Sequence, residues 1–431
     1  MPKVYFIDVT NRDGVQTARI SLSKLQKTML NWYLSQLGIH QSEFGFPFLG
    51  HERNYILANL ALQRKGAYGD MVLEGWSRAV EADVRGALTT GVKHLNISIP
   101  TSDQMIVHKF GGRLEREGII REMVEAAKSA REGGVETLGV NAEDASRTDM
   151  EFLVEFGQAA REAGADRLRY CDTIGYETPD SIRQRVRQLA SRLGYPIELH
   201  CHNDLGMGVA NSVAGAAGAV DAGVDAYINT SVNGIGERAG QADLLSCIMA
   251  MRFARGLYEN YEMADNLDLT VGWRLARYTA EAFGVPIPIN APGVGANAFA
   301  HESGIHADGA LKDRHNYELY DYQLIGRVEQ VCEPTGRTIT TGEYGGMAGF
   351  MHVYERLGIA FADEDTARFV LNLVQYANAH NQSPLVDDEL RFIAMYPEEV
   401  RQILTIKPPA PKGSGELRSV RTRGKTTVLL H

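Results

Sequence analysis

No run of about 18 or more apolar residues occurs in this 431-residue chain, so no segment can cross a bilayer as a helix and no membrane partner is expected. Cysteine is scarce. Cys171, Cys201, Cys247 and Cys332 are scattered and show no CxxC spacing, which argues against a zinc knuckle or a disulfide framework and for reduced thiols. A secretory signal pattern is also missing: Met1-Pro2-Lys3-Val4 leads straight into an apolar strand, and a cytoplasmic location is the expectation. Positive charge is in deficit, with 44 Lys/Arg against 54 Asp/Glu and a net charge of −10. That balance argues against a general nucleic-acid binder and leaves room for a local basic pocket. No internal repeat of solenoid length is visible.

What the chain does have is alternation. Short β-rich apolar runs predict strands at 4–9, 39–44, 71–74, 94–99, 137–141, 167–173, 197–202 and 226–231. Amphipathic stretches such as 120–132, 149–162, 179–193 and 211–222 lie between them. Strands alternating with helices imply parallel βαβ units, and eight of them over about 250 residues fit a (β/α)8 TIM barrel better than an open doubly wound sheet. Beyond the barrel, Pro286, Pro288 and Pro292 mark a linker, and 365–379 and 388–404 look helical. The expected organisation is an α/β chain with a catalytic barrel at 1–285, a linker subdomain at 286–330 and a helical region at 331–405. A flexible tail is expected at 406–431, where six Lys/Arg face one Glu.

In such a barrel the active site lies at the carboxyl ends of the strands. Polar and ionisable residues recur there: Asn11-Arg12-Asp13 after the first strand, Glu43 at the second, Glu74 at the third, Glu143 at the fifth, Asp172-Thr173 at the sixth. The sharpest feature is His200-x-His202 at the seventh. Residues i and i+2 of a strand point to one side, so both imidazoles project into the mouth at a spacing suited to one metal ion. Asp13 is a natural third ligand, because the first and seventh strands are near neighbours in a closed barrel. Two His and one carboxylate leave open positions for a chelating substrate. A mixed nitrogen and oxygen site suits a divalent ion, Mn2+ or Co2+ ahead of Mg2+ or Zn2+. Arg12, next to Asp13, can hold a developing alkoxide or enolate. Glu143 can orient a substrate or accept a proton. After the eighth strand, Gly234-x-Gly236-Glu237-Arg238-x-Gly240 is placed where many barrels hold phosphate, and its backbone NH groups could bind the phosphates of a coenzyme.

Asn11-Arg12-Asp13-Gly14-Val15-Gln16, with Lys27 further on, resembles the first signature of the isopropylmalate/homocitrate synthase family of metal-dependent barrel enzymes. The stretch from Leu199 to Gly208, which contains His200-Cys201-His202-Asn203-Asp204, resembles the second. The resemblance covers residues 4–330. It implies metal ligation by Asp13, His200 and His202, oxyanion stabilisation by Arg12, and 2-oxo acid contacts at Gln16, Glu43 and Thr173. It also implies that His306 and Tyr317, in the Asn297–His306 motif and after it, join Glu143 in acid–base work, reaching the active site of the partner in a homodimer. The reaction so implied is a Claisen condensation of acetyl-CoA with a 2-oxo acid.

The stretches at 8–17, 41–47, 140–148 and 169–173 are similar to the Re-citrate synthase branch, which implies oxaloacetate as the acceptor and citrate and CoA as products. Two departures from other members bear on this. Asn11 replaces the usual Leu, and Gly139 and Asn141 stand where homocitrate synthases carry an Arg and a Ser, which weakens a 2-oxoglutarate reading. Lys109, Asn141, Arg147 and Arg169 are the candidates for the second carboxylate of oxaloacetate. The rival readings are homocitrate, isopropylmalate or citramalate synthesis, a retro-Claisen lyase or carboxyltransferase subunit, and a non-enzymatic binding barrel.

Overall fold

The eight apolar runs pair in sequence order as one closed, all-parallel barrel. The computed structural model describes residues 1–264, 266–329 and 336–406. Cys332 and the expected tail beyond Ile406 lie outside the described residues. The strands are β1 Val4–Asp8, β2 Gln41–Gly45, β3 Val72–Arg78, β4 His94–Pro100, β5 Thr137–Glu143, β6 Arg167–Asp172, β7 Ile197–Cys201 and β8 Ala226–Thr230. Closure is carried by β1 against β8, from Val4 opposite Ala226 to Asp8 opposite Thr230. Two strands run two or more residues further than expected: β3 continues past Glu74 to Arg78, and β5 past Asn141 to Glu143, which carries charged side chains into the mouth.

Helices return the chain on the outside: α1 Lys24–Leu37, α2 Arg53–Arg64, α3 Glu81–Leu88, α4 Asp103–Phe110, α5 Arg116–Glu132, α6 Met150–Glu162, α7 Pro179–Leu193 and α8 Gly208–Asp221. Their ends follow from local chemistry. Ser23 and Gln26 form a capping box on α1, and Thr178 and Ser181 form one on α7 with Pro179 in its first turn. Gly38 and Gly194 end the same two helices in left-handed conformations. Apolar outward residues of the strands, such as Phe6, Leu138 and Leu199, are fully buried under these helices.

Past the barrel come α9 Leu244–Phe253, α10 Gly272–Phe283, an irregular stretch with the short α11 Gly304–Lys312, and then α12 Met347–Arg356, α13 Glu364–Asn381, α14 Asp387–Met395 and α15 Pro397–Ile403. These last helices fold back onto α1, α2 and α10. Tyr33 donates to Asp388 at 2.6 Å, and the Trp32 and Phe392 rings meet edge to face at 6.1 Å. No described helix is long and apolar enough to cross a membrane. Cys171, Cys201 and Cys247 are buried free thiols.

Glu389 ties this packing together. Its carboxylate accepts from Tyr278 (2.9 Å), Asn381 (3.2 Å) and the Val386 amide (2.9 Å). Burial outweighs these bonds and pushes its pKa from 4.5 up to about 7. A carboxyl raised in the folded state binds its proton more tightly there, so its contribution to stability is present at acid pH and is lost as pH rises from 4.5 to about 7. At ~1.4 kcal/mol per pH unit the loss is about 3 kcal/mol. Thermal melts at pH 5 and pH 7.5 are expected to show a smaller drop for Glu389→Gln than for the parent, by a few degrees. Equal drops would remove Glu389 from the account.

Candidate active site

Directly after β1 the carbonyl of Val9 collects the backbone NH groups of Arg12 and Asp13, a tight turn that aims both side chains across the barrel mouth. Asn11 faces the other way and anchors the turn to α1, donating to the Lys27 carbonyl at 2.8 Å and to Asn31 at 2.9 Å. A leucine could make neither bond, which gives the departure at Asn11 a structural reason.

Across the mouth, His200 is the penultimate residue of β7 and His202 lies just past the strand's end, their rings 5.1 Å apart. Asp13 Oδ2 lies 3.2 Å from His200 Nε2 and 4.0 Å from His202 Nε2. The three side chains are buried, and one ligand atom from each lies within 4.8 Å of the others. Burial would raise the Asp13 pKa, but Arg12 and the imidazoles outweigh it and hold the carboxylate well below the usual range. Burial, then His200, pulls His202 down to about 4, so it is a neutral ligand at neutral pH. An ionised carboxylate facing two imidazole nitrogens at these distances fits a divalent cation. With metal–ligand bonds of about 2.1 Å, neighbouring ligands stand about 3 Å apart.

Arg12 donates from Nε to Glu43 Oε2 at 2.5 Å and from Nη1 to Asp13 Oδ2 at 2.8 Å. Its Nη2 is buried and makes no hydrogen bond. Arg12 and the three candidate ligands border a cavity of about 500 Å³ at the barrel mouth. Lys109, Asn141, Glu143 and Thr173 border it as well, as expected, and so do Gln16, Glu237 and Arg238. Lys109 Nζ and Glu143 Oε1 are 2.7 Å apart. Asn141 Oδ1 accepts from the Cys171 thiol at 2.6 Å, and Thr173 Oγ1 accepts from the Asp144 amide at 2.9 Å.

Several expected contacts are placed elsewhere. Glu43, Glu74 and Arg169 are fully buried below the cavity floor and do not line it. They are inward residues one layer down, where Glu43 and Glu198 are bridged by Arg169, and Glu74 by Arg167. Burial pushes Glu74 up to about 7, whereas the arginines overcome burial and lower Glu43 and Glu198. Arg147 pairs with Asp144 (2.7 Å) outside the cavity wall, because the short helix after β5 turns it away. The glycines of the β8 loop close a turn. A Cβ on Gly240, at φ +79°, would fall 1.9 Å from the Gly234 carbonyl. The amides of Gly234 and Gln241 bond within the loop, and that of Glu237 is directed at Asp13 Oδ1, 3.3 Å away. Gly236 is held against Gln241, and Arg238 is paired with Asp204 at 2.9 Å. His306 and Tyr317 pack on each other with centroids 4.2 Å apart, but both are exposed and neither lines this chain's cavity.

Residues the sequence reading passed over also line the cavity: Trp76, Arg78, Ser98, Arg113 and Cys171. Strand parity could have found Trp76 and Arg78, which follow Glu74 at two-residue steps, and likewise Arg167 and Glu198, which precede Arg169 and His200 by two. Gly139 has its own explanation, since a Cβ there would lie 2.3 Å from Asn96 Nδ2.

The comparisons agree with this architecture. Residues 3–278 match the HMGL-like family, and 294–381 match the homocitrate synthase post-HMGL domain-like family. The chain is 54% identical to a citrate (Re)-synthase of Dehalococcoides mccartyi over 95% of this chain and 99% of that protein. It is 38% identical to 2-isopropylmalate synthase 2 of Caldanaerobacter subterraneus over 90% of this chain and 94% of that protein. In fold alone it is similar to the hydroxymethylglutaryl-CoA lyase of Pseudomonas aeruginosa, with a TM-score of 0.53 and 17% identity over 67% of this chain and 95% of that one. The chain belongs to the HMGL-like enzyme family, in the group that joins this barrel to a homocitrate synthase post-HMGL domain.

Proposed function

We propose that this protein is a divalent-metal-dependent Re-citrate synthase, which condenses acetyl-CoA with oxaloacetate and water to give citrate and CoA. The observation that carries the reading is the meeting of Asp13, His200 and His202 in one buried cluster with the unpartnered Arg12 Nη2 beside it. Similarity to a citrate (Re)-synthase over nearly the whole of both chains supports the choice of acceptor. Gly139 has no side chain with which to hold the distal carboxylate of 2-oxoglutarate.

Asp13, His200 and His202 would hold the ion, Mn2+ or Co2+ in first place. When bound, the ion supplies Lewis acidity at the ketone of the 2-oxo acid. Arg12 offers a preorganised N–H to the oxygen that gains charge as the carbon–carbon bond forms. Glu143, His306 and Tyr317 form the acid–base group that removes a methyl proton from acetyl-CoA, His306 and Tyr317 being supplied by a second copy of the chain. The exposure of Ile305 (76%), Leu311 (88%) and Leu319 (70%) around them supports a homodimer, because apolar side chains clustered at a surface mark a contact site. Lys109, Asn141 and Thr173 contact the acceptor acid, with Ser98 and Arg78 as further wall residues. Hydrolysis of the citryl thioester releases citrate and CoA. The reading places the enzyme in the cytoplasm.

The test is CoA release from acetyl-CoA with oxaloacetate, compared with 2-oxoglutarate, pyruvate and 2-oxoisovalerate. Oxaloacetate is expected to be turned over fastest, yielding one citrate per CoA.

A further inference from the structure

Below the cavity floor the buried polar groups close into a ring. Arg12 Nε donates to Glu43 Oε2 (2.5 Å), and Glu43 Oε1 accepts from Arg169 Nη2 (2.9 Å). Arg169 Nε donates to Glu198 Oε1 (2.6 Å), which also accepts from Asn229 Nδ2 (2.6 Å). Asn229 Oδ1 meets His200 Nδ1 at 3.1 Å. His200 Nε2 then faces Asp13 Oδ2 (3.2 Å), and Asp13 returns to Arg12 Nη1 (2.8 Å). Every side chain in the ring is at most 7% exposed.

The ring has a direction. Glu198 accepts from Arg167 Nε (2.7 Å) and from Arg169 Nε (2.6 Å), and a carboxylate paired with two guanidinium groups only accepts hydrogen bonds. Asn229 must therefore turn its NH2 toward Glu198, which leaves its carbonyl oxygen for His200. A carbonyl accepts, so the neutral form of His200 carries its hydrogen on Nδ1 and presents the lone pair of Nε2 to Asp13. Two lone-pair atoms 3.2 Å apart are satisfied by a cation. On the opposite arc, Arg169 holds Glu43, and Glu43 and Asp13 hold Nε and Nη1 of Arg12, which leaves Nη2 as the unpaired nitrogen. Stability alone is a weak reason for such a layer, because buried ion pairs often contribute less than apolar residues of equal volume.

We propose that Arg169, Glu198 and Asn229 are positioning residues, and that they set the His200 tautomer and the Arg12 orientation together through this one ring. The proposal rests on the metal reading above. Loss of an outer partner of a ligating His costs ~10–100-fold in metal affinity. The test uses the full chain stripped with chelator and titrated with Mn2+, together with long-range 15N–1H spectra of the metal-free protein with labelled histidine.

Asn229→Leu, of similar volume, is expected to weaken Mn2+ binding ~10–100-fold and to make His200 a mixture of tautomers, with the melting profile retained. Asn229→Ser, too short to reach both partners, is expected to do the same and stands in if the leucine variant does not fold. Arg169→Lys keeps the charge but cannot bridge two carboxylates with one fork, so kcat is expected to fall at saturating Mn2+ with little change in KM. Tight Mn2+ binding by the parent, lost in His202→Ala, combined with parent-like affinity and tautomer in both Asn229 variants, would overturn the ring proposal alone. A parent that binds no Mn2+, or a His202→Ala variant that binds it as tightly, would overturn the metal reading first.

Discussion

Replacing His202 with alanine is expected to reduce metal-dependent citrate formation by at least about 10³-fold. The ion's stabilisation of transition-state charge is worth several kcal/mol, and ~1.4 kcal/mol corresponds to a factor of ten. The physical basis is the small number of ligands. Asp13 and His200 alone would leave the ion with one carboxylate and one imidazole in a cluster whose ligand atoms span no more than 4.8 Å. The fold should tolerate the change. His202 lies just beyond the end of β7, its Nδ1 has no hydrogen-bond partner, and β7 itself is held by β6 and β8. The check is a pair of measurements on one preparation, CoA release with saturating Mn2+ and a circular-dichroism melt. Turnover near the parent level in a folded variant would remove His202 from the site.

The second large effect is expected at Arg12. Removing one preorganised donor to a developing oxyanion costs ~10²–10³-fold in kcat. A neutral substitution would confuse this effect with folding, since Glu43 and Asp13 would lose their common cation in a buried layer, and breaking such a pair costs about 3–5 kcal/mol. Arg12→Lys avoids the confusion. The ammonium keeps the charge, but it cannot hold Glu43, hold Asp13 and still leave a third nitrogen unpaired beside the Asp13 cluster, as the guanidinium does. Its kcat is expected to fall by ~10²-fold or more, with KM for acetyl-CoA nearly unchanged. A drop confined to KM would assign Arg12 to ground-state binding instead.

Much of this site was legible in the chain because barrel geometry turns sequence into position. Once the eight strands were located, the carboxyl end of each named a wall of the mouth, and the i, i+2 spacing of His200 and His202 placed both rings on one side. Depth was harder to read. Glu43, inside β2, and Asp13, on the turn after β1, read alike as strand-end carboxylates, yet Asp13 reaches the cavity while Glu43 is one layer down beneath Arg12. That difference depends on the stagger between strands, which appears in the pairing and not in any single strand. The β8 glycines were ambiguous for a related reason. A Gly that closes a turn and a Gly that admits a phosphate have the same letter, and the approach of the Gly234 carbonyl to Gly240 shows the turn. His306 and Tyr317 mark a different boundary, because both are exposed and neither lines the cavity of its own chain, so a single chain shows no site for them.

The most direct test of the central claim is CoA release from acetyl-CoA by the Mn2+-loaded protein with each of the four acids, oxaloacetate, 2-oxoglutarate, pyruvate and 2-oxoisovalerate, with and without EDTA. The account predicts that oxaloacetate gives the fastest release, that EDTA stops it, and that added Mn2+ restores it. Release that persists undiminished in EDTA, or that is fastest with 2-oxoglutarate, would contradict it.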